Sequence, residues 1–223
     1  MKYVEKSYTF TKDSVYLEIG SGPAFIGEAL MKKYKCHFIG VDFNYQILLT
    51  LKKYFDQQKY TNYTLIHGDI NEMPIKNDSI DYIYGGGVIE HFADTEHIIK
   101  ESYKILRKNG VSFNTVPAFN LWWLIRFYNN IPSLPILKQI FSFIHIRLLG
   151  AKILQKFYGY ELSFMPFQLS SLHQNAGFKD VQVGAFAFNP SDKVLKNPLL
   201  RQLYVKISSS IFSCPVYYVS GKK

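Results

Sequence analysis

VYLEIGSGPAFIG, Val15–Gly27, decides how the rest of this sequence is read. A five-residue apolar run suited to a buried strand enters a glycine turn. A helical pattern follows, with Phe25, Ile26, Ala29 and Leu30 on one side. Two glycine spacings overlap in the turn. Gly20-x-Gly22 is the start of a dinucleotide-binding turn, and Gly22 to Gly27 has the G-x-x-x-x-G spacing of a phosphate-cradling P-loop.

Outward from this turn, strand-like and helix-like segments alternate. Strands are predicted at Val15–Ile19, His37–Val41, Tyr63–His67, Ile80–Tyr84 and Val111–Val116, with helices over 23–34, 44–55 and 95–106 between them. Gly110 is read as the stop after the last of these helices. Such alternation predicts an α/β fold with a doubly wound, mostly parallel sheet, whose ligand lies at the carboxyl ends of the strands. After Pro117 the pattern breaks into an aromatic-rich insertion. It resumes with a helix ending at Gly177, a strand over Lys179–Phe188 and a last strand over Pro215–Ser220, completing a seven-stranded sheet. One domain over 1–223 is expected. Its cofactor-binding half is 14–117, a helical insertion occupies 118–164, and the C-terminal half of the sheet, 165–223, carries a second insertion at 189–213. At 48% hydrophobic residues, the chain is long enough for one well-cored domain.

The residues around the glycines discriminate between ligands. A P-loop needs Lys and Ser/Thr after its second glycine, and here Gly27 is followed by Glu28 and Ala29. The dinucleotide fingerprint needs a third glycine where the sequence has Phe25. Glu18, two residues before Gly20, would repel a pyrophosphate and attract a cation. S-adenosylmethionine, which carries an ammonium and a sulfonium and no phosphate, fits each feature. Pro23 is expected as the first helical residue, and Ala24 as a small residue for close helix–strand packing.

VYLEIGSGPA resembles motif I of the class I S-adenosylmethionine-dependent methyltransferases. GVDFN, HGDINEMPI, NDSIDYIYGGGVIEHF and KESYKILRKNGVSFNTVP resemble that family's later landmarks, in order. The resemblance is close over 14–117 and loose over 165–188 and 215–220. It implies a cofactor site at Glu18, Gly20, Ser21, Gly22, Asp42, Phe43, Asp69, Ile70, Gly85 and Gly86. Asp42 would meet the ribose hydroxyls and Asp69 the adenine amino group, with Ile70 beside it. Ala24 replaces the family's third glycine and Asn109 another glycine, and only about 14 residues precede the first strand, where relatives carry covering helices.

His91 follows the fourth strand near the expected position of the reactive methyl. An imidazole there can serve as general base for an acceptor hydroxyl, or be a satisfied structural group. Glu18 and Asp42 have the competing role of capping helices. No metal is expected, since Gly87 stands where an E-x-x-E-H cluster would need its first acid. Cys36 and Cys214 form no C-x-x-C pair, which suits a reducing compartment.

The net charge of +9 is unevenly spread: the residues between Glu101 and Glu161 hold eight Lys or Arg and no acid. On a helix predicted over 135–158, Lys138, Ser142, His145, Lys152 and Lys156 form one stripe, with Arg147 opposite. The insertion reads as a lid over an apolar small-molecule acceptor, as an anionic-membrane contact through 118–160, or as both. The reaction expected is methyl transfer to a hydroxyl or similar nucleophile of an apolar or lipid-linked molecule. Two alternatives are an RNA or DNA methyltransferase using the basic segment 102–160, and a catalytically silent membrane-associated adaptor. Nucleic acid is disfavoured, because GGGV stands where base-amino methyltransferases have [DNS]-P-P-[YFW]. No run is long enough to span a bilayer, so a cytoplasmic, peripherally membrane-associated protein is expected.

Overall fold

The computed structural model describes residues 1–126, 131–143, 161–187 and 196–223. A short helix, α1 (Lys2–Ser7), precedes β1 (Val15–Ile19), α2 (Phe25–Tyr34), β2 (His37–Asp42), α3 (Tyr45–Gln57) and β3 (Tyr63–His67). Next come β4 (Ile80–Gly86), α4 (Thr95–Ile105) and β5 (Leu106–Pro117). The first insertion contributes α5 (Trp123–Arg126), β6 (Ile131–Pro132), α6 (Pro135–Phe143) and β7 (Leu162–Ser163). The chain then forms α7 (Pro166–Asn175), β8 (Lys179–Ala185), α8 (Pro198–Ser208) and β9 (Val216–Lys222).

Seven strands form one sheet in the order β3-β2-β1-β4-β5-β9-β8, the predicted doubly wound, mostly parallel architecture. β9 alone is antiparallel to its neighbours, β5 and β8. A small pair of strands, β6 and β7, belongs to the first insertion. The order reverses between β1 and β4, which opens a crevice at their carboxyl ends.

Because side chains alternate across a strand, the buried strands feed two different cores. Leu17, Ile19, Ile83 and Val116 enter an aliphatic core beneath α4 and α7. Tyr16, Phe38, Tyr82 and Phe113 enter an aromatic one. There Tyr16 stacks between its register partners Phe38 and Tyr82, with centroids 6.0 and 5.9 Å away. Phe113 stacks on Tyr218 at 5.4 Å. Such offset ring pairs add about 0.5–1.5 kcal/mol each beyond their buried area.

Three local expectations need correction. Pro23 is not the first residue of α2. It lies in a turn closed by Ala24 N–H donating to Ser21 O at 2.8 Å, and the helix begins at Phe25. Ala24 has a left-handed φ of 51°, so helical geometry starts only after it. That conformation costs an alanine about 1–2 kcal/mol, offset in part by burial of its methyl.

The close helix–strand contact belongs to Gly27. A Cβ there would stand 2.4 Å from Phe38 Cε2. Gly110, in turn, stops no helix, since α4 ends at Ile105 and residues 107–110 form an irregularity between the Ile80–Leu106 and Tyr82–Val111 pairs. Arg107 in that stretch donates to both carboxylate oxygens of Asp81, at 3.0 and 2.9 Å. Of the helix predicted over 135–158, α6 covers 135–143; His145, Arg147, Lys152 and Lys156 lie outside the described residues.

Gly27→Ala is expected to destabilise the protein by about 1–2 kcal/mol. The forced displacement of Phe38 outweighs the gain of about 1 kcal/mol in helix propensity. Urea unfolding checks this, and an unchanged or raised midpoint would remove the packing role from Gly27.

Candidate active site

The crevice is a cleft of about 710 Å³ at the carboxyl ends of β1, β2, β3 and β4. Each strand end delivers one part of its wall. Gly20 follows β1, Asp42 and Phe43 come at the end of β2, Asp69 and Ile70 follow β3, and Gly86 closes β4. His91, in a 3-10 turn over Ile89–His91 beyond β4, is exposed on the same cleft.

Asp42 is buried and fully oriented. Its Oδ2 accepts from Gly22 N–H and its Oδ1 from Asn44 N–H, both at 2.9 Å. Each oxygen keeps lone-pair capacity for a ligand donor. Its helix-side role and its place in the cleft therefore coexist. Asp69 caps the 3-10 turn Ile70–Glu72, with Oδ1 accepting from Asn71 N–H and from the Asn71 amide, both at 2.8 Å. Ile70 is buried beside it. Phe43 is 81% exposed at the rim. Gly20 has φ +59°, and a Cβ there would meet Val88 Cγ2 at 2.7 Å, so the backbone approaches the floor as only glycine allows.

Four other expected residues stand behind the cleft wall. Gly22 lines a neighbouring surface groove with Pro23 and Phe25. Ser21 is buried, and its N–H donates to Val41 O at 3.1 Å. Gly85 is buried against Ile19 and Asn114. Glu18 is buried, with Oε2 accepting from Gly27 N–H, in the first turn of α2, at 3.2 Å. Burial pushes the Glu18 carboxyl up to about 8, against the opposing pull of that hydrogen bond. The cleft also gathers Asn44, Asn71, Gly87 and Phe92, which sequence reasoning passed over. Gly87 belongs to the GGGV loop, whose three glycines were the available signal.

The cleft's charge is one-sided: among the described residues its lining holds Asp42 and Asp69 and no Lys or Arg. That suits an uncharged nucleoside joined to a cationic group and opposes a phosphate. Asp42, Phe43, Gly20 and Asp69 thus fit S-adenosylmethionine by donor set and charge. Among the described residues no cluster of His, Cys, Asp or Glu has metal-holding geometry.

Beside His91, Glu90 is 2% exposed, and its Oε2 has no hydrogen-bond partner among the described residues. Burial, with a smaller push from Glu161, raises this carboxyl to about 8. The first insertion reaches the same loop: Lys138 of α6 donates from Nζ to Ala93 O at 3.0 Å.

Residues 17–113 match the family model described as a methyltransferase domain. A stretch of 78 residues, 35% of this chain, is 32% identical to 2-methyl-6-phytyl-1,4-hydroquinone methyltransferase 2, chloroplastic, of Oryza sativa subsp. japonica. It spans only 22% of that relative's length. Demethylmenaquinone methyltransferase of Staphylococcus carnosus is 26% identical over 197 residues, 83% of this chain and 76% of its own. In fold, the chain is similar to Haemonchus contortus phosphoethanolamine N-methyltransferase 2, solved with phosphomonomethylethanolamine and S-adenosylhomocysteine. The TM-score is 0.67 at 17% identity, covering 100% of this chain and 52% of that one.

The two raised carboxyls have a signed consequence. Between about pH 4.5 and 8, Glu18 and Glu90 are ionised when unfolded and protonated when folded. The folded state binds more protons, so stability falls as pH rises through this window. Glu90→Gln removes one share, flattening the fall by up to about 1.4 kcal/mol per pH unit. Urea unfolding at pH 5, 6.5 and 8 measures it, and an unaltered slope would refute a neutral Glu90.

Proposed function

We propose that this chain, whose residues 17–113 are a methyltransferase domain of the class I S-adenosylmethionine-dependent type, transfers a methyl group to a quinol-type acceptor with an apolar tail. The observation that carries the reading is the cleft that joins Asp42, Asp69 and His91 and, among the described residues, holds no Lys or Arg. The printed names of the two relatives, one a phytyl hydroquinone methyltransferase and one a demethylmenaquinone methyltransferase, support the acceptor class.

The cofactor supplies an electrophilic methyl on a positively charged sulfur. Asp42 would hold the ribose hydroxyls, its own oxygens kept in place by Gly22 and Asn44. Gly20 would let the backbone approach the methionine portion, and Phe43 and Ile70, which line the same cleft, would flank the base. On the acceptor side, His91 takes the phenolic proton. The phenolate oxygen, or its adjacent ring carbon, would take the methyl as the cofactor's carbon–sulfur bond breaks to a neutral thioether; a ring-carbon acceptor would also lose that carbon's own proton to restore the aromatic ring. Positioning supplies most of the acceleration, and proton removal by a placed base adds about 10²–10⁴-fold. The acidic lining stabilises the cation before transfer. The contact of α6 with Ala93 supports a lid role for the first insertion, close to the reacting centre.

Asp42→Ala should weaken S-adenosylmethionine binding about 10- to 100-fold, the loss of hydrogen bonds to a charged group. Gly20→Val should abolish it, through backbone strain and the clash with Val88. Calorimetric titration measures both, and unchanged affinity in either variant would remove the cofactor assignment.

His91→Gln should lower kcat on a prenylated hydroquinone about 100-fold or more, with cofactor affinity within about twofold. Labelled S-adenosylmethionine and product identification supply the readout. Full kcat in this variant would remove the base role, and no labelled quinol product would overturn the acceptor class.

A further inference from the structure

We infer that α6 and α8 together form a docking surface for an anionic phospholipid bilayer. A helix in a water-facing domain normally turns its aliphatic stripe inward. α8 does the reverse: Leu199, Leu200, Leu203 and Ile207 are exposed, the first by 75%, while Tyr204 and Ser208 face the protein. α6 likewise exposes Ile136, Ile140 and Phe143, spaced i, i+4, i+7 on one face.

The two helices are held as one unit through adjacent tryptophans. Trp122 meets Tyr204 of α8 edge-on at 6.3 Å, and Trp123 meets Phe141 of α6 edge-on at 5.2 Å. Asn120 ties the connecting segments by donating to Ile211 O and Cys214 O, at 3.1 and 3.0 Å.

Charge selects a membrane as the occupant. The two helices themselves hold Lys138, Arg201 and Lys206, with Lys196 just ahead of α8, and no Asp or Glu. Lys196 and Lys206 are exposed at α8, and no acid lies on either helix to oppose a lipid phosphate. An exposed aliphatic face edged by lysines, without a helix long enough to cross the bilayer among the described residues, matches a helix lying in the interface. The service this surface would give a tailed acceptor rests on the proposed function; the docking itself does not.

Co-sedimentation with phosphatidylcholine/phosphatidylglycerol vesicles, against phosphatidylcholine alone, tests the inference with the full chain. Binding should favour the anionic vesicles and weaken with salt. It should fall about tenfold or more in Leu199→Gln/Leu203→Gln and in Lys196→Glu/Lys206→Glu. S-adenosylmethionine titration of the same variants should match the parent, which shows them folded and keeps failure of docking separate from failure of the methyltransferase reading. Equal or absent binding to both vesicle types overturns the inference. So does a concentration-dependent dimer in sedimentation velocity that the leucine variants dissolve, which would make the face an interface between copies of this chain.

Discussion

The carboxylate of Asp42 holds the working end of this molecule together. One oxygen accepts from Gly22 in the turn after β1, the other from Asn44 ahead of α3. Through these bonds the first two βα connections share one anchor, and the backbone carbonyl of Asp42 also receives Gly68 N–H at 3.2 Å, adding the third. A negative group held by a backbone donor on each oxygen is rigid, and rigidity at the mouth of a parallel sheet is what a binding site requires. The same bonds that a helix-capping account would claim for Asp42 are those that aim it into the cleft.

The sheet supplies that anchor with an unusual foundation. One face is aliphatic, as parallel sheets generally are, but the other is a ladder of tyrosine and phenylalanine rings whose hydroxyls are largely buried. Tyr16 and Glu18 point toward this polar-edged core from the same strand; burial raises the protonation of both, and Glu18 adds a smaller push on Tyr16. Glu18 therefore costs folding energy at neutral pH. An acid kept against that cost, at the first turn of α2 beside the cofactor turn, is stabilised by ionisation only when positive charge approaches it.

How legible this was in the sequence depends on the scale of the physics. The strands and their mostly parallel arrangement followed from strand–helix alternation, because hydrophobic burial is an additive, local signal. Asp42 and Asp69 were singled out by the family resemblance and His91 by its place after the fourth strand, and all three line one crevice, where the strand ends of a doubly wound sheet converge. The failures were all geometric. Pro23 fits a helix start in composition, yet Ala24 adopts a left-handed φ and delays the helix by two residues. The tight packing assigned to Ala24 lies at Gly27, because only the three-dimensional approach of Phe38 shows which small residue is pressed. Gly110 looks like a helix stop, yet the β4–β5 pairing begins at Leu106 and absorbs it. Glu90 was noticed only as a neighbour of His91; that it is buried could not be read from a polar residue in a glycine-rich loop.

Charge separates the two halves of the functional surface, and the separation has a reason. Among the described residues the cleft wall carries Asp42 and Asp69 and no Lys or Arg, so a lysine-rich lid sharing its lining would cancel the field that favours a sulfonium. The chain instead places its excess Lys and Arg in the two insertions, which leave the sheet after β5 and β8. Lys138, the basic residue of α6, spends its ammonium on a backbone carbonyl, Ala93 O, so its charge meets a dipole and not the acids of the cleft. Lys138 therefore lies close to a negative site without pairing with its acids. A fold that kept both charges in one layer would have to weaken one of them.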